Sequence, residues 1–280
     1  MTNRSQQCWF ITGASAGFGR EIATQILAAG GSVFVTARDP ATLADLVALG
    51  GDRAAAHALD VTDPSQIAAA VKACEARFGG IDVLVNNAGY GFIDSIEDAD
   101  EARVRYQFEV NFFGLANVIR AALPGMRARR HGWIINFSSM AGRMAMPGGG
   151  WYSASKYAVE GLSESLCAEL APLGIGVTVV EPGAFRTEFA GRSIVLGANT
   201  NPDYATTAGA TISHVGSWHG AQRGDPVKAM AALITAIDSD APPRQLLLGP
   251  DAYEYVGGAL HAQLAEIEKW RDLTNGTDAA

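Results

Sequence analysis

The apolar positions of this chain form short continuous runs that alternate with longer segments of helical spacing. Seven short runs predict buried strands, at residues 8–12, 32–37, 54–59, 81–85, 133–137, 176–180 and 245–248. The segments between them predict helices that begin near residue 20 or cover 41–49, 64–78, 100–123, 152 to about 171, 226–237 and 251–273. This alternation predicts an α/β fold with a doubly wound, seven-stranded parallel sheet flanked by helices.

The chain shows no break in composition and no internal repeat, so we expect residues 1–280 to form a single domain. The helical spacing fades between residues 188 and 224, where Gly, Asn, Thr and Ser surround scattered apolar residues. A segment of this length without strong patterning is typical of a functional lid or of a disordered loop. Because it follows the sixth strand, on the ligand side of the sheet, we expect a substrate lid there.

The acidic composition narrows the classes of partner. The formal net charge is −8, and 48% of the residues are hydrophobic. Nucleic acids and anionic membranes attract basic patches, so neither partner is expected. Three widely separated cysteines form no disulfide framework, and the first apolar run is too short for a signal peptide or a membrane span. We therefore expect a soluble cytoplasmic protein, and the sequence has no His, Cys and Asp cluster with the spacing of a metal site.

A glycine-rich turn separates the first strand from the first helix. Gly13, Gly17 and Gly19 follow Thr12 with the spacing Gly-x-x-x-Gly-x-Gly. Glycines at such a turn let the backbone approach a pyrophosphate closely, and the helix N-terminus then supplies N–H donors to the phosphates. The alternative is a simple flexible turn. With a strand before it and a helix after it, the turn predicts a dinucleotide site.

The end of the second strand bears on the choice of cofactor. Dinucleotide-binding folds usually place an acidic residue there to hold the adenosine ribose hydroxyls. This chain has Ala37, Arg38 and Asp39 instead. A guanidinium binds a phosphate group through two parallel hydrogen bonds, so Arg38 favours NADP(H). In the alternative, Arg38 only caps a surface loop and Asp39 turns inward to select NAD(H).

Tyr152 and Lys156 are spaced as neighbours on one face of a helix. A free phenol has a pKa near 10 and holds its proton too tightly to act as a base near neutral pH. A nearby ammonium stabilises the phenolate and lowers that pKa. The two residues therefore form a candidate proton-transfer pair. The alternative is chance, since Tyr-x-x-x-Lys also occurs on surface helices.

Several motifs in the same chain resemble those of one family. They are Thr12-Gly13-x-x-x-Gly17-x-Gly19, Asn86-Asn87-Ala88-Gly89, Asn111, Ser139, Tyr152-x-x-x-Lys156 and Pro182-Gly183. In order and spacing they resemble the short-chain dehydrogenase/reductase family, including its 17β-hydroxysteroid-dehydrogenase-like members. The resemblance covers about residues 8–250. It implies a single-domain NAD(P)-dependent oxidoreductase with a Rossmann-type, three-layer α/β/α fold.

The resemblance also implies a catalytic tetrad of Asn111, Ser139, Tyr152 and Lys156. Tyr152 would be the general acid in carbonyl reduction and the base in alcohol oxidation. Ser139 would hydrogen-bond the same substrate oxygen. Lys156 would lower the pKa of the tyrosine and bind the nicotinamide ribose, and Asn111 would hold a water molecule behind the lysine.

The cofactor contacts implied by the family extend along the cleft. With the glycine-rich turn, Arg38, Tyr152 and Lys156, the predicted cofactor-binding residues include Ser15, Phe18, Asp60, Val61, Asn87, Ala88, Gly89, Pro182, Gly183 and Thr187. Asp60 and Val61 would flank the adenine, and Thr187 would lie at the nicotinamide half. Family members are commonly dimers or tetramers, so a homodimer or homotetramer is expected. The apolar stripe of the terminal helix, at Leu260, Leu264, Ile267 and Trp270, would cover a sheet edge or form a subunit contact.

A group of mostly apolar residues near Tyr152 is predicted to contact the substrate. The predicted substrate contacts are Ser139, Met140, Met146, Tyr152 and Phe185. Methionine adapts to irregular apolar shapes, so these residues, with Met144 and Trp151, suggest a bulky apolar ketone or alcohol. Ordinary packing beneath the lid explains the same residues equally well. His214 and His219 lie in the predicted lid, and surface positions explain them better than substrate contact.

We therefore expect an NADP(H)-dependent carbonyl reductase or alcohol dehydrogenase, with NAD(H) as the less favoured cofactor. Two other classes remain open from the sequence. One is a nucleotide-dependent isomerase or lyase on the same fold, and the other is a non-catalytic NADP(H) sensor. A complete tetrad favours net redox chemistry over both.

Overall fold

The computed structural model describes residues 7–198, 200–217 and 220–278. Two parallel sheets account for the strands that it contains. The strands are β1 Cys8–Ile11, β2 Ser32–Ala37, β3 Ala54–Ala58, β4 Val83–Asn86, β5 Gly91–Ile93, β6 Gly132–Phe137, β7 Ile175–Pro182, β8 Ile194–Leu196 and β9 Gln245–Leu248.

The main sheet has the strand order β3-β2-β1-β4-β6-β7-β9, and every pairing in it is parallel. The predicted seven-stranded parallel sheet is therefore confirmed. In the register of the sheet, Phe10 lies between Phe34 of β2 and Leu84 of β4. The strand order reverses between β1 and β4. In open α/β sheets, ligands bind outside the carboxyl ends of the strands at such a reversal.

Ten α-helices connect and cover the strands in the described part of the chain. They are α1 Gly17–Ala28, α2 Ala44–Gly50, α3 Pro64–Phe78, α4 Glu101–Phe108, α5 Leu115–Arg129, α6 Gly150–Leu170, α7 Ala208–Ser217, α8 Pro226–Ile237, α9 Pro250–Lys269 and α10 Arg271–Asn275. Two of them begin at an Asp-Pro pair. The carboxylates of Asp63 and Asp225 accept hydrogen bonds from the first backbone N–H groups, and proline suits the first helical position.

The core lies on both faces of the main sheet. Successive strand side chains point to opposite faces, so Phe10 joins one apolar cluster while Trp9 and Ile11 join the other. Helices α3, α5 and α6 cover the first face, and α1 and α8 cover the second. This confirms the three-layer α/β/α arrangement.

Two segments differ from the sequence-based expectation. The predicted helix at 100–123 is interrupted by a π-helical turn, Glu109–Gly114, and continues to Arg129. The segment 188–224 is not an unstructured loop: it contains a π-helical turn, Phe189–Ser193, then β8 and α7. Strand β8 pairs with β5 in a second, two-stranded sheet. Strands of three residues are too short to show a periodic pattern, which is why the sequence did not predict them.

Candidate active site

A cavity of about 540 Å³ opens at the carboxyl ends of the central strands. Most of the residues predicted for the cofactor, the substrate and catalysis line it together. These are Gly13, Ser15, Gly17, Phe18, Arg38, Asp60, Val61, Asn87, Ala88, Gly89, Ser139, Met140, Met146, Tyr152, Lys156, Pro182, Gly183, Phe185 and Thr187. Gly19 and Asn111 are the two predicted site residues that lie outside this lining.

The glycine-rich turn forms one wall of the cavity. Gly13 and Gly17 have φ angles of 67° and 57°, which are left-handed conformations that favour glycine. Gly19 is buried beneath the turn, where an added Cβ would collide with the Asn87 side chain and lie 2.8 Å from the Gly13 carbonyl oxygen. Gly19 therefore leaves room for Asn87 to support the turn, and its contact with the cofactor stays a prediction.

Hydrogen bonds fasten this turn to the end of β4. The Thr12 hydroxyl accepts from the backbone N–H groups of Asn87 and Ala88 at 3.0 and 3.1 Å. The Asn87 side-chain amide donates to the carbonyl oxygens of Thr12 and Gly13, each at 3.0 Å. Thr12 was not predicted as a site residue on its own. Its contribution is to hold together two parts of the cavity wall that are more than 70 residues apart.

At the end of β2, Arg38 lies at the cavity, whereas the Asp39 side chain caps the turn that follows. Arg38 is exposed and lines the cavity. The Asp39 carboxylate accepts a hydrogen bond from the Ala41 backbone N–H at 3.0 Å and caps the short 3₁₀ turn that follows β2. Asp60 also lines the cavity, and its Oδ1 accepts from the backbone N–H and hydroxyl of Thr62 at 2.9 and 2.8 Å.

Asn111 lies in the π-helical turn and is 1% exposed. Its Nδ2 donates to the Tyr90 carbonyl oxygen at 2.8 Å and to the Ser155 hydroxyl at 3.0 Å, and its Oδ1 accepts from the Tyr90 backbone N–H at 2.8 Å. The Ser155 hydroxyl in turn donates to the Tyr152 carbonyl oxygen at 2.7 Å. Asn111 therefore joins the loop after β4 to the helix that carries Tyr152. Tyr90 and Ser155 were missed because no local pattern links them to Asn111.

Ser139, Tyr152 and Lys156 converge at one end of the cavity. Ser139 follows β6, where its Oγ also accepts from the Ala141 backbone N–H at 3.1 Å. The Ser139 hydroxyl hydrogen-bonds the Tyr152 phenol. Lys156 is 4% exposed, and its Nζ lies 5.8 Å from the centroid of the Tyr152 ring.

Burial dominates the titration of Tyr152 and Lys156. It raises the pKa of Tyr152 to about 12, because desolvation of the phenolate outweighs the Ser139 hydrogen bond, which acts in the opposite direction. Burial also lowers the pKa of Lys156 to about 8, against the attraction of Glu160. The lowering of the Tyr152 pKa by Lys156 stays a prediction. The phenol keeps its proton throughout the neutral range.

The other end of the cavity is apolar. Met140 packs against Ala252 and Val256 of α9. Phe185 contacts Phe18 edge to face, with 5.3 Å between ring centroids. Met144 and Trp151, which were grouped with Met140 and Met146 as possible pocket residues, do not belong to the described cavity lining.

The segment 188–224 covers part of this apolar end. Phe189, Ile194, Val215 and Gln222 line the cavity, and the Phe189 ring centroid lies 6.0 Å from that of Tyr152. A β-bridge between Phe185 and Gly224 closes the two ends of the segment. His214 is exposed on α7 and does not line the cavity. His219 lies outside the described residues.

Within residues 7–198, 200–217 and 220–278, no group of three or more His, Cys, Asp or Glu side chains is arranged to hold a metal ion. In the same ranges, no helix combines the length and the apolar character needed to cross a membrane.

Comparison with known proteins agrees with this geometry. The family model for short chain dehydrogenases matches residues 7–194. The chain belongs to the short chain dehydrogenase family. It is 41% identical over 267 residues to oxidoreductase BOA17 of Botryotinia fuckeliana, and the aligned region spans 95% of this chain and 97% of that protein. It is also 42% identical over 200 residues to 3-ketodihydrosphingosine reductase of Bacteroides thetaiotaomicron, across 71% and 72% of the two chains.

Solved structures of the family share the fold. A short-chain dehydrogenase from Streptomyces avermitilis is 44% identical, with a TM-score of 0.92 over 98% of this chain and 99% of that chain. A Burkholderia cenocepacia member in complex with NADP has a TM-score of 0.74 at 27% identity, over 94% and 96% of the two chains. A Burkholderia phymatum member in complex with NAD has a TM-score of 0.79 at 26% identity, over 100% and 99%. The chain is thus an oxidoreductase of a family whose members bind NAD or NADP.

Proposed function

We propose that this short chain dehydrogenase uses NADP(H) to interconvert a ketone or aldehyde with the corresponding alcohol, with Tyr152 as the general acid and base. One observation carries the proposal. The hydrogen-bonded hydroxyls of Ser139 and Tyr152 lie at one end of a single cavity. Gly13 and Gly17, whose backbone is in the left-handed conformation, lie on the wall of the same cavity. That arrangement suits a carbonyl group held beside an extended dinucleotide.

The cavity residues fit a nicotinamide dinucleotide. The left-handed backbone at Gly13 and Gly17 and the N-terminus of α1 would hold the pyrophosphate. Asp60 would hold the adenosine half, and Lys156 would bind the nicotinamide ribose hydroxyls. When bound, the cofactor supplies or accepts the hydride, and the protein supplies position and electrostatics.

Tyr152 performs the proton transfer in this proposal. In reduction, its hydroxyl donates a hydrogen bond and then a proton to the substrate carbonyl oxygen. A phenol whose pKa is raised to about 12 remains protonated at neutral pH, which suits the acid of the reduction direction. Ser139 hydrogen-bonds the same oxygen and fixes its position between the two hydroxyls. Lys156 places a positive charge near the oxygen that becomes negative as the proton leaves.

The arrangement at the end of β2 supports a preference for NADP(H) over NAD(H). Arg38 is exposed at the cavity and can pair with a 2′-phosphate. The Asp39 carboxylate is occupied in capping the next turn. Because the carboxylate already caps this turn, the structure favours Arg38 over the alternative in which Asp39 selects NAD(H) by binding the ribose hydroxyls.

The apolar end of the cavity supports a bulky apolar substrate. Met140, Met146 and Phe185 line it from one side, and Phe189 and Ile194 line it from the segment 188–224. We propose that this segment acts as the substrate lid. The similarity to a protein named 3-ketodihydrosphingosine reductase supports ketones as the first class to test.

The decisive experiment follows NADPH consumption with a panel of apolar ketones and compares Tyr152→Phe with the wild type. We expect kcat/KM to fall by about 100-fold to 10,000-fold, which is the usual contribution of a general acid. Tyr157→Phe is the matched control, because Tyr157 is on the same helix and 42% exposed. Equal activity in wild type and Tyr152→Phe would refute the proposed function.

A further inference from the structure

A pair of buried glutamates lies next to Lys156. Glu160 follows Lys156 by one turn of α6, and Glu181 lies near the carboxyl end of β7. Their exposed fractions are 9% and 2%. Nη1 of Arg143 lies 3.4 Å from Oε1 of Glu181. Two acids therefore lie beside a single guanidinium in the interior of the protein.

The close approach of this group depends on a glycine. Gly142 lies in the turn after β6, and a Cβ added there would collide with the Ser138 hydroxyl and lie 3.1 Å from Oε1 of Glu160. The Ser138 hydroxyl also lies 3.4 Å from the Lys156 carbonyl oxygen. The turn therefore packs directly on the helical segment that joins Lys156 to Glu160.

Glu160 is poorly hydrogen-bonded for a buried carboxylate. Among the residues that the structure describes, neither of its carboxylate oxygens has a hydrogen-bond partner with regular geometry, although the Ser138 hydroxyl lies near enough to favour its charged form. A buried carboxylate in that position is costly, and such a group takes up a proton instead. The hydroxyl of a protonated Glu160 has an acceptor, because the Glu181 carboxyl is within hydrogen-bonding reach. The pair then carries one negative charge, which Arg143 balances.

The electrostatics of the pair also favour its protonated state. Burial raises the pKa of Glu160, while Ser138 and Arg143 oppose the change. Burial, followed by repulsion from Glu160, raises the pKa of Glu181 to about 7, while Arg143 opposes it. Two interacting carboxyl groups lose their protons in two steps that belong to the pair. The first proton therefore leaves well before the second.

We propose that Glu160 and Glu181 share one proton, and that Glu160 is a positioning residue that keeps Lys156 charged beside Tyr152. Its effect on catalysis rests on the proposed function, whereas the shared proton and the charge of Lys156 do not. When the shared proton leaves, the full negative charge of Glu160 lies one helical turn from the Lys156 ammonium. The lysine therefore stays charged to a higher pH than burial alone allows.

The charged groups around the pair come from three elements. Lys156 faces Glu160 from the same helix, Arg143 faces both acids from the turn after β6, and Glu160 and Glu181 face each other between α6 and β7. Burial lowers the pKa of Lys156 to about 8, and the Glu160 charge acts against that change. Removing the Glu160 charge should therefore lower the pKa of Lys156 further.

The first test measures the titration of Lys156 directly in the cofactor-free protein. The sequence has four lysines, Lys72, Lys156, Lys228 and Lys269, and among these Lys156 alone is buried. Proteins labelled with ¹³C at the lysine side chain give few signals, which single Lys→Arg variants assign. In Glu160→Gln we expect the Lys156 titration midpoint to fall by about one pH unit. The control Glu164→Gln, an exposed glutamate on the same helix, should leave it unchanged.

The second variant, Glu181→Gln, should leave the Lys156 midpoint near its wild-type value. Glu160 is already charged at the pH where Lys156 titrates, and Glu160 is the acid whose charge raises the pKa of Lys156. A decrease of similar size in both variants, or no change in Glu160→Gln, would overturn the proposal. Infrared spectra add an independent readout, since a protonated carboxyl has its own C=O stretching band. That band should be present at neutral pH in the wild type and in Glu164→Gln, and lost in Glu160→Gln; its absence from the wild type would also overturn the proposal.

The effect on catalysis is measured as the pH profile of kcat/KM. In Glu160→Gln we expect the alkaline limb to move to lower pH by the same interval as the Lys156 midpoint, with little change at pH 6. A merely structural role would lower kcat/KM equally at every pH and would contradict the proposal. If the midpoint shifts while the wild type reduces no carbonyl compound, the proposed function fails and the proton-sharing pair stands.

Discussion

The Lys156 side chain donates a hydrogen bond from Nζ to the Phe137 carbonyl oxygen at 2.9 Å. This contact ties the ammonium of α6 to the last residue of β6, directly before Ser138 and Ser139. A buried lysine normally loses its charge readily, since burial lowers its pKa. The carbonyl acceptor therefore holds the side chain in position at the site where the proposed reaction needs a positive charge.

Replacing Lys156 with methionine should separate activity from stability. Methionine has a similar length but no charge, so we expect kcat/KM to fall by about 100-fold or more. The unfolding free energy should not fall by a comparable amount, because the variant no longer buries an ammonium. Kinetics and urea unfolding measure the two effects, and the exposed Lys228→Met is the control. A large loss of stability in step with activity would show that Lys156 is mainly structural.

Two Gly→Ala substitutions should have opposite effects on stability. At Gly19 the new Cβ would collide with the Asn87 amide, and we expect a loss of about 1–3 kcal/mol together with weaker dinucleotide binding. At Gly161, inside α6, no heavy atom outside the local helix backbone lies within 4 Å of the new Cβ, and we expect a gain of about 0.5–1 kcal/mol. Denaturant unfolding and cofactor titration check both. Equal stability of the two variants would contradict the close packing of the turn.

Arg38→Asp should change the cofactor preference from NADPH towards NADH. The substitution removes a phosphate partner and introduces a charge that repels the 2′-phosphate, so we expect the ratio of the two kcat/KM values to change by at least about tenfold. Asp39→Ala removes only the cap of the next turn and should leave that ratio unchanged. If Asp39→Ala moved the ratio and Arg38→Asp did not, Asp39 would be the selecting residue.

The shared proton of Glu160 and Glu181 makes a signed prediction for stability. The pKa values of both carboxyls are raised above the ordinary value of 4.5 by burial, so the folded state binds more protons than the unfolded state above that pH. The stabilisation is complete below pH 4.5 and is lost as the pH rises through the raised pKa values of the pair. We expect the stability of the wild type, relative to a variant with glutamine at both positions, to fall as the pH rises through this range. Urea unfolding at several pH values measures the difference, and a pH-independent difference would contradict it.

The positions of the seven main strands along the chain followed from local patterns in the sequence. Runs such as Trp9-Phe10-Ile11 are apolar on both faces because helices cover both sides of the sheet, so the burial itself leaves a sequence signal. The Asp-Pro starts of α3 and α8 are equally local, since the cap and the first turn are neighbours in sequence. Where a pattern of this kind was weak, as in β5 and β8, the prediction failed.

The sequence by itself also determined which chemical groups are present: the glycine-rich turn, Arg38, and the spacing of Ser139, Tyr152 and Lys156. The tertiary structure alone decided how those groups behave. Burial, which depends on every element around the cavity, raised the pKa of Tyr152 and lowered that of Lys156. The fold also brought Glu160 of α6 close to Glu181 of β7. No local sequence pattern predicts this contact, because the two residues lie in different elements of the chain. Desolvation and proximity are properties of the packed interior, and for that reason they had to be found in the fold.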